Sequence, residues 1–210
     1  MAADKRILAL GAVATVLVLA TGGIWLSQTK DSDPFGQCRK SVVAGGMEAF
    51  GAPFTLTNQQ SQRVTDKQVF AKPSLVYFGY TFCPDVCPLD VSRNGEARRL
   101  LSERGLDVND VFITIDPNRD TPEALQSFAE VQDPELIALT GSSEEIDAVA
   151  KAWRVYYKLN NQDDPEDYLV DHMTNTFLVM PGQGTVEYFG RDVSPEDMAT
   201  RTACFVNAAK

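Results

Sequence analysis

Leu75-Val-Tyr-Phe-Gly-Tyr-Thr-Phe-Cys-Pro-Asp-Val-Cys-Pro88 runs from a near-continuous apolar stretch straight into two cysteines. The part from Leu75 to Tyr80 is rich in β-prone side chains and shows no polar alternation. Such a run suits a strand buried on both faces. Pro88 suits the first position of a helix, where a missing N–H costs nothing. A buried strand that delivers its C-terminal end to the start of a helix is the repeating unit of an open α/β sheet. Ligand chemistry in such sheets gathers at that end.

The flanking sequence repeats the pattern. Leu89, Leu100 and Leu101 mark a helix ending near Gly105, and Val111-Phe-Ile-Thr-Ile115 reads as a second buried strand. Thr121 caps a helix with Pro122 at its first position. Leu136 to Leu139 is a short strand, and Ser143 opens a helix through Trp153. Thr176 to Met180 and Val186 to Phe189 form a hairpin across Pro181-Gly-Gln-Gly184. Ser194-Pro-Glu-Asp starts a last helix. Upstream, Phe54 to Thr57 and Val64 to Val69 are strand-like. This alternation predicts a three-layer α/β sandwich of thioredoxin type, closed by the hairpin and a C-terminal helix.

Ahead of that domain, Ile7 to Leu26 carries no charge over 20 residues and follows Lys5-Arg6. That length spans a bilayer as a helix. A cleaved signal peptide is the competing reading, but its apolar core is usually only about 7–15 residues. Val18-Leu19-Ala20 is a poor cleavage site. The basic pair holds the N-terminus in the cytoplasm, which leaves roughly 180 residues outside it. The expected division is residues 1–27 as cytoplasmic N-terminus and transmembrane anchor, 28–50 as linker and 51–210 as the folded domain. Pro34, Gly36, Gly45, Gly46 and Gly51 interrupt the linker. The expected location is the bacterial inner membrane with the domain in the periplasm, or the mitochondrial inner membrane in a eukaryote. A formal charge of −10 repels phosphate backbones and argues against nucleic acid as a partner. The acidic cluster Asp163-Asp164-Pro165-Glu166-Asp167 lacks the spacing and glycine of a calcium loop.

The chemistry lies in four cysteines and one histidine. Cys83 and Cys87, at a helix start, are favoured as thiolates by backbone N–H groups and the positive helix end. Thiolate is both a nucleophile and a metal ligand, so a redox dithiol and a soft-metal site remain open here. Three intervening residues leave room for a metal between the sulfurs. His172 precedes the strand at Thr176, in a loop that faces the cysteine turn in a thioredoxin-type sheet. A structural histidine is the plain alternative. Its coincidence with the two thiols favours a ligand, and thiolates with imidazole suit copper. Asp171 is the candidate to orient the imidazole. In an oxidising compartment, Cys38 and Cys204 are the candidate structural disulfide, although sequence alone does not give the connectivity.

Three motifs carry a resemblance. Tyr80-Thr-Phe-Cys-Pro-Asp-Val-Cys-Pro88, Ile115-Asp-Pro-Asn-Arg-Asp-Thr-Pro122 and Asp171-His172 resemble the Sco/SenC copper proteins, in order and without a large gap from about Gly51 onward. The resemblance implies a thioredoxin-like fold and one copper ion per chain, Cu(I) or Cu(II), held by Cys83, Cys87 and His172. It implies a chaperone that delivers copper to, or matures, the copper centre of cytochrome c oxidase. Its partners would then be the oxidase's copper-site subunit and periplasmic copper donors or thiol reductants. Metal transfer is not turnover chemistry, so no enzyme activity is expected. The main alternative is a thiol–disulfide oxidoreductase that reduces the cysteines of a copper-site apo-protein. A peroxidase and a copper sensor are further alternatives. Asp116 to Thr121 is expected to shape the strand end and cap the next helix.

Overall fold

The computed structural model describes residues 33–43, 46–160 and 168–210. The chain divides into two compact units after Gly36, and the second, Gln37–Lys210, contains the elements below. The expected anchor, Ile7 to Leu26, and the acidic cluster at 163–167 lie outside the described residues. Among the described residues no helix is long and apolar enough to cross a membrane.

The elements run β1 (Thr55–Asn58), β2 (Arg63–Thr65), α1 (Asp66–Val69), β3 (Ser74–Gly79), α2 (Val86–Glu103), β4 (Asn109–Thr114), α3 (Pro122–Gln132), β5 (Ile137–Thr140), α4 (Ser143–Ala152), β6 (Tyr157–Leu159), β7 (Val170–His172), β8 (Thr176–Met180), β9 (Gly184–Phe189) and α5 (Pro195–Ala208). Seven strands form one sheet in the order β2-β1-β5-β4-β3-β8-β9, and β6 and β7 form a separate ribbon. The three central strands β5, β4 and β3 are parallel to one another, while β1 and β8 flank them antiparallel.

β3 is buried at every position, as its composition requires. Successive side chains point to opposite faces. Tyr77 lies on the α2 face, and its ring leads through Phe112 (6.4 Å) to Phe128 of α3 (5.0 Å). Phe78 lies on the other face, against Trp153 at the end of α4 (5.6 Å) and Phe177 (6.2 Å). Helix α5 packs on α2. The sheet is therefore the middle of three layers. Each large side chain buried in this way contributes about 1.5–3 kcal/mol.

The helix starts follow the local chemistry. Thr121 Oγ1 accepts from Ala124 N at 3.3 Å with Pro122 behind it, and Ser142 Oγ accepts from Glu145 N at 3.2 Å. Three expectations need correction. The strand expected over Val64 to Val69 stops at Thr65, where the Thr65 N–H donates to Gln68 Oε1 at 2.9 Å and α1 begins. Helix α2 begins at Val86, so Pro88 is its third residue rather than its first. That is tolerated because the first four N–H groups of a helix have no partner within it. The hairpin loop is Pro181–Gln183, and β9 already starts at Gly184, whose φ of +72° favours glycine.

Cys38 and Cys204, the candidate pair, are disulfide-bonded, with Cα atoms 5.7 Å apart. The chain beside Cys38 is also fixed by fully buried Glu187. Its Oε2 accepts from Lys40 N at 2.8 Å and Ser41 N at 3.3 Å and pairs with Arg201 at 2.9 Å. The segment from Gln37 that reads as linker is thus tied to β9 and α5.

Candidate metal centre

The C-terminal end of β3 breaks at Gly79, and the turn Tyr80 to Asp85 carries the chain into α2. Cys83 lies in the turn and Cys87 in the first turn of α2; both are buried, and both are free thiols. The Cys87 N–H donates to Cys83 Sγ at 3.4 Å. Gly79 is needed for a close approach. A Cβ there would lie 2.9 Å from ring atoms of Phe112 and Tyr77 and 3.1 Å from Cys87 Sγ.

The third group comes from the β6–β7 ribbon, where His172 pairs with Tyr157. The sequence placed His172 in a loop; it is in fact the last residue of β7. Its Nε2 lies 3.3 Å from Cys87 Sγ, and its Nδ1 lies 2.8 Å from the Met173 carbonyl oxygen. A carbonyl only accepts, so Nδ1 carries a proton, and Nε2 is the ring nitrogen that faces the sulfurs. Asp171, expected to orient the ring, does not do so. It is exposed and alternates with His172 along β7, and the Met173 carbonyl takes the orienting role. Tyr77 and Tyr80 set the ring edge-on, with centroids 6.2 and 5.9 Å away.

The Cys83 and Cys87 sulfurs and one imidazole nitrogen all lie within 4.8 Å of one another. Donors at about 2.0–2.3 Å from a shared ion can be up to about 4.6 Å apart, so little closing is required. Two thiolates and a neutral imidazole form a soft, three-donor set. The two thiols are not equivalent. Hydrogen bonding from the Cys87 thiol, aided by His172 and the backbone N–H groups of Asp85 and Cys87, pushes Cys83 down to about 3 against its burial. The same hydrogen bond, together with burial, pushes Cys87 up.

Two buried polar groups lie behind this set; the first, at Asp90, was not singled out from the sequence, and the second was read there only as a motif that shapes the strand end and caps the next helix. Tyr77 donates to Asp90 Oδ2 at 3.0 Å, and Arg191 Nε reaches the same carboxylate at 3.1 Å. Asp90 follows Cys87 by three residues, one helical turn, and that spacing was the available signal. The second group is the Asp116–Arg119–Asp120 segment after β4. Asp116 accepts from Arg119 Nε at 2.6 Å and Tyr168 Oη at 2.5 Å. Asp120 is pushed up to about 6 by burial, which its hydrogen bonds from Thr114 and Thr81 oppose.

The SCO1/SenC family profile matches residues 43–207. The chain belongs to the SCO1/SenC family. Protein SenC of Rhodobacter capsulatus is 44% identical over 211 residues, covering 99% of this chain and 94% of that protein. The chain spans little more than half of the mitochondrial SCO1 homologues of Arabidopsis thaliana, mouse and human, at 55, 58 and 53% of their lengths. The crystal structure of Arabidopsis thaliana ScoI with copper bound superposes with a TM-score of 0.71 at 36% identity, covering 76% of this chain and 99% of that one. Bradyrhizobium japonicum ScoI with copper bound gives 0.68 at 38% identity, covering 74% and 98%. BsSco, described as a member of the Sco family of cytochrome c oxidase assembly proteins, shares the fold at 0.64 and 23% identity, covering 80% and 98%. The thioredoxin-like α/β architecture expected from the strand and helix order is therefore that of SCO1/SenC structures.

Proposed function

We propose that this SCO1/SenC chain binds one copper ion between Cys83, Cys87 and His172 and delivers it to, or matures, the copper centre of cytochrome c oxidase. The convergence of two sulfurs and the imidazole within 4.8 Å carries this reading. The bound copper in the two ScoI relatives supports it. Copper is cargo here, so the chain has to hold the ion and also let it go. Access is consistent with transfer. Phe82, Leu89, Leu169 and Met173 are exposed hydrophobics on or beside the segments that carry the three donors, and exposed Tyr156 accepts from Met173 N through its carbonyl; exposed apolar groups collected around a site favour a protein partner. The partner in this reading is the copper-site subunit of the oxidase, with periplasmic copper donors or thiol reductants upstream. The uncharged run Ile7 to Leu26 supports a single-pass anchor in the bacterial inner membrane, with the domain in the periplasm.

A second reading is favoured by the unequal thiols. Cys83 as thiolate would attack a partner disulfide, and Cys87 would resolve the mixed disulfide. The chain would end oxidised at Cys83–Cys87, with two electrons and the Cys87 proton passed to the partner, whose second thiolate takes its proton from solvent. His172→Ala separates the readings, because a dithiol reductase does not require the imidazole. For copper delivery, the substitution lowers Cu(II) affinity about 10–100-fold or more, changes the thiolate-to-copper absorption and blocks oxidase assembly. Titration of the purified chain and oxidase activity in cells at normal chain abundance check this. Full assembly with retained disulfide reduction would replace the first reading by the second.

A further inference from the structure

The motif Asp116-Pro-Asn-Arg-Asp120 contributes no donor atom, yet it is tied to the cysteine turn at two places. Asp120, in the segment between β4 and α3, is fully buried. Its carboxylate accepts from Thr81 N at 3.1 and 3.3 Å, from Thr81 Oγ1 at 2.5 Å and from Thr114 Oγ1 at 2.5 Å. Thr81 is two residues before Cys83. Arg119 makes the second tie. Its guanidinium carbon lies 3.6 Å from the Tyr168 ring centroid, 4.8 Å from Phe82 and 5.8 Å from Tyr80, while Asp116 holds it from behind at 2.6 Å. Phe82 adjoins Cys83, and Tyr80 packs on the His172 ring. Tyr80 also reaches the ribbon directly, because its hydroxyl accepts from Val170 N at 3.3 Å. One short segment therefore grips the turn on one side and the approach to β7 on the other.

We propose that Asp120, with Arg119, is the positioning unit of the metal loop: it holds Thr81, Phe82 and Tyr80 so that Cys83 and His172 face each other before any ion arrives. Donor sets on separate elements lose affinity when the supporting groups are loose, because ordering must then be supplied on binding. Asp120 fits this role chemically. An ionised carboxylate only accepts, and this one meets three donors belonging to two segments. An amide of the same shape has one acceptor oxygen and cannot satisfy them together. Arg119 fits through its planar stack on aromatic faces, which a lysine does not reproduce. Thr114 links the Asp120 carboxylate to the Asp116 backbone, because its hydroxyl donates to Asp120 and accepts from Asp116 N at 2.9 Å.

The inference rests on the copper-site reading, so its test includes a measurement that needs no copper. The full chain in detergent, reduced and metal-free, is labelled with iodoacetamide, and the Cys83 rate is read by peptide mapping. The same chain loaded with Cu(II) is read by its thiolate absorption. Asp120→Asn, Thr81→Val and Arg119→Lys each change the labelling rate about fivefold or more and shift or broaden the band. Thr81→Ser, which restores the hydroxyl, returns both to the parent values. Asp133→Asn is the control. It loosens a carboxylate held by Arg98 at 2.9 Å, away from the cysteine turn, and should move neither readout. If Asp120→Asn does not fold, Thr81→Val alone decides. Labelling within twofold of the parent and an unshifted band in folded variants would overturn the proposal. So would an equal response of the Asp133→Asn control. A chain that takes up no copper defeats the copper reading, and the labelling rates then still decide the positioning role.

Discussion

Cys83 and Cys87 are four residues apart and unbonded, whereas Cys38 and Cys204 are 166 residues apart and joined. The nearer pair sits where a strand end, a helix start and an imidazole converge, and its sulfurs are engaged by the Cys87 N–H and the His172 ring. The distant pair sits beside β9 and α5, where Glu187 and Arg201 already hold the incoming chain. Closeness along the chain therefore does not decide which cysteines bond. The pair that carries chemistry is kept as two unequal thiols, and the pair that carries stability is closed.

Removing one sulfur from each pair should produce opposite losses. Cys83→Ser or Cys87→Ser removes a thiolate from a three-donor set and should lower copper affinity about a thousandfold or more, with little change in melting temperature. Competition against a chelator, paired with calorimetry, reads both quantities. Wild-type affinity in either variant would show that the site is misassigned. Cys38→Ser with Cys204→Ser should cost about 3–5 kcal/mol in the chain-entropy account of a long closed loop and leave copper affinity within twofold. Copper affinity falling in step with stability would mean that the two regions are coupled.

Gly79 tests how closely the cysteine turn is fitted. Gly79→Ala places a methyl group against two buried rings and Cys87 Sγ. Overpacking of this kind costs about 1–3 kcal/mol. It should also displace Cys87 Sγ and therefore shift the Cu(II) absorption, which denaturant unfolding and spectroscopy of the same sample would reveal. An unchanged spectrum at lowered stability would show that the sulfur does not depend on this contact.

Much of this organisation is legible in the sequence, and the failures have local physical causes. β3, β4, β8 and the caps at Thr121 and Ser194 are readable because apolar runs or capping residues mark them. The β6–β7 ribbon is not, because three-residue strands are too short for alternation to register. His172 was therefore found by its chemistry and misplaced in its element. Asp171 was chosen for its charge, but alternation along a strand turns it away from the ring. The carbonyl that orients His172 belongs to Met173, and backbone groups leave no trace in residue identity. Asp116, Arg119 and Asp120 were visible as a motif. Their grip on Thr81 and Phe82 depends on β3 and β4 ending side by side, with Gly79 opposite Thr114.

The inequality of the two thiols yields the smallest effect and the most specific one. Cys83, held down to about 3, is already a thiolate at neutral pH. Cys87, pushed up by its hydrogen bond to Cys83 and by burial, keeps its proton until a metal displaces it. The free chain then binds one more proton at these sulfurs than the loaded chain. Linkage requires the apparent copper affinity to rise with pH, by about tenfold per unit between pH 7 and 8.5. Two ordinary thiols, each near 8.5, would release nearly two protons at pH 7 and give a slope close to twice as steep. Proton release can be counted by calorimetry in buffers of different ionisation enthalpy, with the slope measured independently by chelator competition. One proton per ion would support a thiolate–thiol pair. Two would mean that Cys83 is protonated in the free chain, and the contrast between the two sulfurs would be lost.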